Sequence, residues 1–260
     1  MLQIKPNLEF KKELKKLSNS SLNECIQCGT CSVVCSLASD EKPFPRKEMI
    51  WAGWGIKEKL IGNPDIFLCH QCGDCSTHCP RDVKPADVFS AVRQITYKHY
   101  AKPKFFGKLL SKPALLPIAI LIPVFVIACI LLLAGTLSVP EGEVNYSKFF
   151  PHAWLNSSFT IITFLFYGLA FLGFKKFWND IKRFNPEYNS KINFIKTFWK
   201  AKNEILFHTK FSSCSTQKSR KTSHLLVFYG FALLIIVTLF AIYAALTHSY
   251  PLGFYNPFKI

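Results

Sequence analysis

The sequence predicts an all-α protein in two parts, and three observations predict it. Two cysteine-rich runs are separated by a segment of helical periodicity, Arg46 to Ile61, with no hairpin signal. Three later stretches of more than twenty residues each contain no charged residue. Basic residues gather at the edges of those stretches: residues 1–112 alone hold 18 of the 32 Lys and Arg. The domain boundaries read from this pattern are 1–112 for a cysteine-bearing domain and 113–260 for a membrane domain. A net charge of +16 could suggest nucleic acid, but the cations flank apolar runs and form no stripe with stacking aromatics. No nucleic-acid partner is expected.

The two runs share one spacing. The first is C-I-Q-C-G-T-C-S-V-V-C, with Cys25, Cys28, Cys31 and Cys35. The second, C-H-Q-C-G-D-C-S-T-H-C-P, carries Cys69, Cys72, Cys75 and Cys79 before Pro80. In C-x₂-C-x₂-C-x₃-C runs, three close thiolates cap one iron–sulfur cube and the fourth reaches across to the other. Two runs therefore imply two [4Fe–4S] clusters. The first is expected on Cys25, Cys28, Cys31 and Cys79, the second on Cys35, Cys69, Cys72 and Cys75. Zinc ribbons use isolated C-x₂-C pairs, a poorer fit to three cysteines at successive gaps. Disulfides demand an oxidising compartment, and Met1 to Ser20 lacks the apolar core of a signal peptide, so this region is expected in a reduced cytoplasm. Gly29, Thr30, Gly73 and Asp74 between the ligands are small enough to let backbone amides approach cluster sulfurs. His70 and His78 are read as neighbours of the clusters, not ligands.

Leu8 to Leu17 predicts a short helix on the cysteine domain, with Phe10, Leu14 and Leu17 on its inner face. Ser21 and Glu24 read as a capping box, predicting a helical turn that carries Cys25 to Cys31. Met49, Ile50, Ala52, Ile56 and Leu60 predict helix up to Gly62. Pro85 suits a first helical position, and Val88, Val92, Ile95 and His99 mark one face of the helix that follows.

The uncharged stretch Pro113 to Val139 exceeds the roughly 20 residues that cross a hydrocarbon layer. Ala153–Phe174 and Leu225–Leu246 are each about 33 Å long as helix. Spans are therefore expected at about 114–134, 153–174 and 225–246, the first kinked at Pro117 or Pro123. The segment from Lys175 to Ser223 holds twelve Lys and Arg, whereas the first connection has only Lys148 with Glu141 and Glu143. Positive-inside reasoning places residues 1–112 and that long loop in the cytoplasm, with the chain in the cytoplasmic (inner) membrane. Within the loop, Phe174, Phe177, Trp178, Ile181 and Phe184 alternate with lysines at helical spacing, read as an interfacial helix or one packed on a partner protein.

With that topology His152 and His248 share the outer depth, and paired histidines are a way to hold haem b in a helix bundle. His224 lies at the inner side; His208 is one candidate partner, and a helix beyond Ile260 or on another protein of a complex a better one. The chain supplies no acid–base pair, nucleophile or nucleotide loop. Tyr97, His99 and Tyr100 are candidates for a quinone pocket at the cluster-facing membrane surface, against the plainer reading of an aromatic belt.

The portion F-P-R-K-E-M-I, the helical gap and C-H-Q-C-G-D-C-S-T-H-C-P-R-D-V-K-P-A-D-V resemble the C-type iron–sulfur component of heterodisulfide reductase. Joined to haem-type spans, the chain resembles a fusion with a nitrate reductase gamma-like cytochrome b, as in the C-type membrane component of quinone-interacting membrane-bound oxidoreductase (Qmo) complexes. The resemblance implies an α-helical ferredoxin domain on a helix bundle, two [4Fe–4S] clusters, one or two b-type haems and exchange of electrons with menaquinone. It also implies cytoplasmic flavin and iron–sulfur partners related to the A-type component of heterodisulfide reductase, and delivery of electrons to adenylylsulfate reductase in sulfate reduction. Alternatives are a heterodisulfide-reductase or glycerol-3-phosphate dehydrogenase type of membrane subunit, or a cluster-bearing anchor without haem.

Overall fold

The computed structural model describes residues 5–20, 22–136, 150–184, 193–209 and 219–247. Among these every regular element is helical. Helix α1 (Leu8–Ser18) starts where the Asn7 side chain accepts the Phe10 amide at 2.8 Å. Its inner face is Phe10, Leu14 and Ser18; Leu17, expected inside, is 40% exposed because the face drifts along the 3.6-residue period. The expected helix over Cys25–Cys31 does not form. A short 3₁₀ turn covers Leu22–Glu24, the chain then runs irregularly through the first two cysteines, and α2 (Thr30–Val33) begins only at Thr30. Ser21, the proposed cap, lies outside the described residues.

The helical pattern expected from Arg46 to Ile61 is present but divided in two. Helix α3 (Arg46–Trp54) stops at Gly55, whose φ of +68° is a left-handed cap, and α4 (Lys57–Ile61) follows. Asn7 donates its amide to the Gly55 carbonyl at 2.9 Å, and a Cβ at Gly55 would lie 2.8 Å from the Asn7 carbonyl oxygen. Helices α5 (Asp65–Leu68) and α6 (Asp74–Thr77) bracket the second run. Helix α7 (Pro85–Tyr100) has Pro85 in its first turn and buries Val88, Val92 and Ile95 as expected, with His99 half-buried. Around it Leu14, Met49, Leu60, Ile66, Val83 and Phe89 close one core, with Phe44 stacked on Phe89 at 5.2 Å.

Helix α8 (Lys104–Leu110) leads to α9 (Leu116–Leu133), which contains Pro123 and has Pro117 in its first turn. Helices α10 (His152–Phe184), α11 (Phe194–Phe207) and α12 (Ser219–Leu246) complete the described chain. Among the described residues three segments are long and apolar enough to cross a membrane: Pro113–Leu133, Ala153–Phe184 and Ser219–Ala244. Almost none of their residues is buried within the chain.

Two expectations for the long basic loop are corrected. Much of it is helical: α10 runs on to Phe184, and α11 and the first turn of α12 take up much of the remainder. The aromatic face from Phe174 to Phe184 also forms no separate interfacial helix. It continues the second span and docks on the cysteine domain of the same chain. Phe177 packs edge-on against Phe67 at 5.4 Å and Tyr100 at 5.2 Å, and the Tyr100 hydroxyl donates to Asp180 at 2.8 Å. Lys59 donates to the Phe184 carbonyl at 2.6 Å, one of the carbonyls a helix end leaves unpaired.

Candidate metal centre

The two cysteine runs fold alike because their sequences repeat. In each, a glutamine precedes the second cysteine in a left-handed conformation: Gln27 at φ +58° and Gln71 at φ +54°. A left-handed glycine then starts a one-turn helix, Gly29 at +86° before α2 and Gly73 at +90° before α6. The third cysteine of each run, Cys31 or Cys75, sits in that turn. The effect is to curl three thiols around one concavity.

The fourth thiol comes from the other run. One cavity is lined by Cys25, Cys28, Cys31 and Cys79, with Arg46 and Arg81 at its edge. A second is lined by Cys35, Cys69, Cys72 and Cys75. Among the described residues no group of three or more His, Cys, Asp or Glu is close enough to hold a single metal ion. The donor sets suit a larger object: four soft thiolates each, arranged around a space.

Electrostatics point the same way. Burial, then the neighbouring Cys25 and Cys28, pushes the Cys31 thiol up to about 11; burial and Cys69 push Cys75 up to about 12. Burial likewise raises Cys35 and Cys69. Thiols crowded in this way stay protonated unless cationic iron among them favours the thiolates. Exposed Cys28 differs, its pKa lowered chiefly by a hydrogen bond with the Thr30 hydroxyl. Donors also reach the sulfurs directly: Gln27 Nε2 to Cys25 at 3.2 Å, the Gln71 amide to Cys69 at 3.4 Å and the Val83 amide to Cys79 at 3.4 Å. The residues present therefore fit two clusters.

Arg93 on α7 ties this site to the core. It donates to the Ile66 carbonyl at 2.7 and 3.0 Å, to the Gln71 side chain at 3.2 Å and to the Cys69 carbonyl. Sequence reading missed it, as it missed Gln27 and Gln71. The glutamines had a signal, since C-x-Q-C-G occurs in both runs; Arg93 had none, because its partners are carbonyls. His78 hydrogen-bonds the Asp74 carbonyl at 2.9 Å, and His70 lines the second cavity.

The histidine candidates fall unevenly. His152 opens α10, but its side chain is not among those described, and His248 lies outside the described residues. His224 is exposed and has His208 beside it, ring centroids 4.9 Å apart. Tyr97 and Tyr100 line a cavity of about 510 Å³ between α7 and α10. His99 stands next to it, its Nε2 3.2 Å from Lys176 Nζ.

Residues 21–83 match the family model described as a 4Fe-4S dicluster domain. The chain carries such a domain. Over 86 residues, a third of its length, it is 35% identical to the C component of the H(2):CoB-CoM heterodisulfide,ferredoxin reductase of Methanothermobacter marburgensis, covering 46% of that protein. A protein of Archaeoglobus profundus, named as similar to the C component of heterodisulfide reductase, is 34% identical over 89 residues, 34% of this chain and 47% of that one. Citrate utilization protein B of Escherichia coli is 34% identical over 99 residues, 36% of this chain and 26% of that one. The chain thus spans less than half the length of these curated relatives. The similarity is to an iron–sulfur domain of the heterodisulfide reductase C type.

Proposed function

We propose that this chain is the membrane subunit of a heterodisulfide-reductase-like oxidoreductase complex, moving electrons between the lipid phase and cytoplasmic flavin and iron–sulfur partners. The observation that carries it is the grouping of eight thiols, four and four with one crosswise ligand each, in a domain packed on a helix long enough to span a membrane. When bound, each cluster accepts and releases single electrons. Cys25, Cys28, Cys31 and Cys79 would hold one, and Cys35, Cys69, Cys72 and Cys75 the other. Exposed Cys28 puts the first site at the surface, where a soluble partner can approach.

On the membrane side we take the substrate to be menaquinol, giving up two electrons and two protons, in the setting of sulfate reduction. Its ring fits the aromatic cavity of Phe67, Tyr97, Tyr100, Phe174 and Phe177. Phe67 is two residues from Cys69, so a ring held there lies close to the second thiol group. Burial, then Lys176, lowers the His99 pKa, so at neutral pH the imidazole beside the cavity is uncharged. Haem b on His152 and His248 belongs to the same reading, as does adenylylsulfate reductase as the final acceptor.

Purified chain should contain about eight irons, from two four-iron clusters, and show cluster signals by electron paramagnetic resonance on reduction. Zinc in place of iron would end this reading. Reduced-minus-oxidised haem b bands separate a haem-bearing protein from a haem-free anchor.

A further inference from the structure

A second large cavity, about 730 Å³, lies where α1, α7 and the start of the first span meet. Lys16, Lys98, Lys108 and Lys112 line it with a single carboxylate, Glu13. Lys98 is held by Glu13 at 2.8 Å. Lys16, Lys108 and Lys112 make no ion pair with any described residue, which leaves an excess of three positive charges at one concavity. The cluster domain needs none of them, as its thiols are served by amides, Arg46 and Arg93.

Position limits what such a site can bind. Pro113 and Ala114, the first residues of the first spanning segment, form part of its wall, so its mouth is at the depth where headgroup phosphates lie. Leu116 and Ile120, three and seven residues beyond Pro113, are 55% and 58% exposed on the same side of the helix. A phosphate placed among the lysines thus continues into an apolar surface suited to acyl chains. We infer that this cavity binds the headgroup of an anionic phospholipid and thereby fixes the cluster domain against the membrane surface. Clustered lysines beside a span attract such lipids, whereas a zwitterionic headgroup brings its own cation and gains nothing from three more.

The test uses the full chain in detergent, titrated with phosphatidylglycerol or phosphatidylcholine and followed by native mass spectrometry. Phosphatidylglycerol should bind in preference, and inorganic phosphate should not displace it. Each lysine near the surface contributes roughly a fivefold factor, so Lys108→Gln with Lys112→Gln should weaken phosphatidylglycerol binding about 25-fold. Lys11→Gln with Lys12→Gln, which removes equal charge from α1 at residues that do not line the cavity, should weaken binding far less. Unaltered cluster spectra in both variants show that the fold is kept. Equal binding of the two lipids, equal losses in the two double variants, or full displacement by phosphate would each overturn the assignment.

Discussion

Cys35 and Cys79 are the residues through which each cysteine run reaches into the other. Cys35 lines a cavity with Cys69, Cys72 and Cys75, and Cys79 lines one with Cys25, Cys28 and Cys31. Cys35→Ser should therefore perturb the resonance of the cluster on the second run and spare the other, with Cys79→Ser doing the reverse. Electron paramagnetic resonance of the two variants checks this, and loss of the cluster nearest in sequence would reverse the ligand assignment. The ligands were legible because spacing alone defines them. Gln27 and Gln71 showed only as a repeated C-x-Q-C-G pattern, and their left-handed backbone did not, because a ligand pattern carries no information about φ. Glu48 was equally hidden: it is fully buried on α3, accepts from Asn63 at 2.9 Å and has a second carboxyl oxygen without a hydrogen-bond partner. Burial raises its pKa, only partly offset by Lys47. A carboxyl raised in this way binds its proton more tightly folded than unfolded, so stability falls as pH rises above the ordinary carboxylate range. Glu48→Gln keeps an acceptor for Asn63 and removes the charge. It should raise stability at pH 7 by about 1 kcal/mol, with a gain that shrinks towards pH 5, as read from thermal unfolding.

Helix α10 shows why element boundaries were harder to read than element types. Its apolar periodicity from Phe174 to Phe184 was visible, but the same stripe serves lipid headgroups, a partner or the chain's own core, and only long-range packing chooses. The deciding contact is a close approach. A Cβ on Gly173 would stand 2.9 Å from the Tyr100 carbonyl oxygen, so only glycine lets α10 lie this near to the end of α7. Gly173→Val should push the two apart and loosen the docking by about 1–3 kcal/mol, the usual cost of overpacking. Protease sensitivity between Ala101 and Lys112 reads the effect; unchanged cleavage would mean that Phe177 and Asp180 alone hold the contact. Gly55 makes the matching case inside the cluster domain. The 46–61 segment has helical periodicity throughout, yet Asn7 needs the Gly55 carbonyl, and that tertiary hydrogen bond breaks the run into α3 and α4. Cys25 to Gly29 stays out of the helix for a related reason: thiols at successive two-residue gaps face one point only if the backbone leaves helical geometry.

At the scale of the whole molecule, three connections converge on the cluster domain. The first span leaves it at Pro113, the second ends on it at Phe184, and the third starts beside it, where Arg220 donates to the Gln71 carbonyl at 3.0 Å. The ends of the three candidate spans next to the cluster domain therefore lie on one side, and the far ends of the described spans, near Leu133, His152 and Leu246, on the other. Many of the lysines and arginines from which the sequence reading took an orientation sit on the same segments that touch the cluster domain. The lateral placement of the spans was not legible, because lipid-facing and partner-facing surfaces have the same apolar composition. The arrangement sets a paired expectation for intact cells. In a chain carrying Cys129→Ser and Cys214→Ser, Lys200→Cys on α11 should resist a membrane-impermeant thiol reagent. Thr247→Cys, one residue beyond α12, should react readily, because one crossing of the third span separates the two. Labelling of position 200 with protection of 247 would invert the orientation and put the cluster domain outside. Equal reactivity at both would mean that α12 does not cross. Protection of Lys200→Cys with labelling of Thr247→Cys places Cys28 and the lysine-lined cavity on the cytoplasmic face together, where a soluble electron partner and an anionic leaflet can be engaged at once.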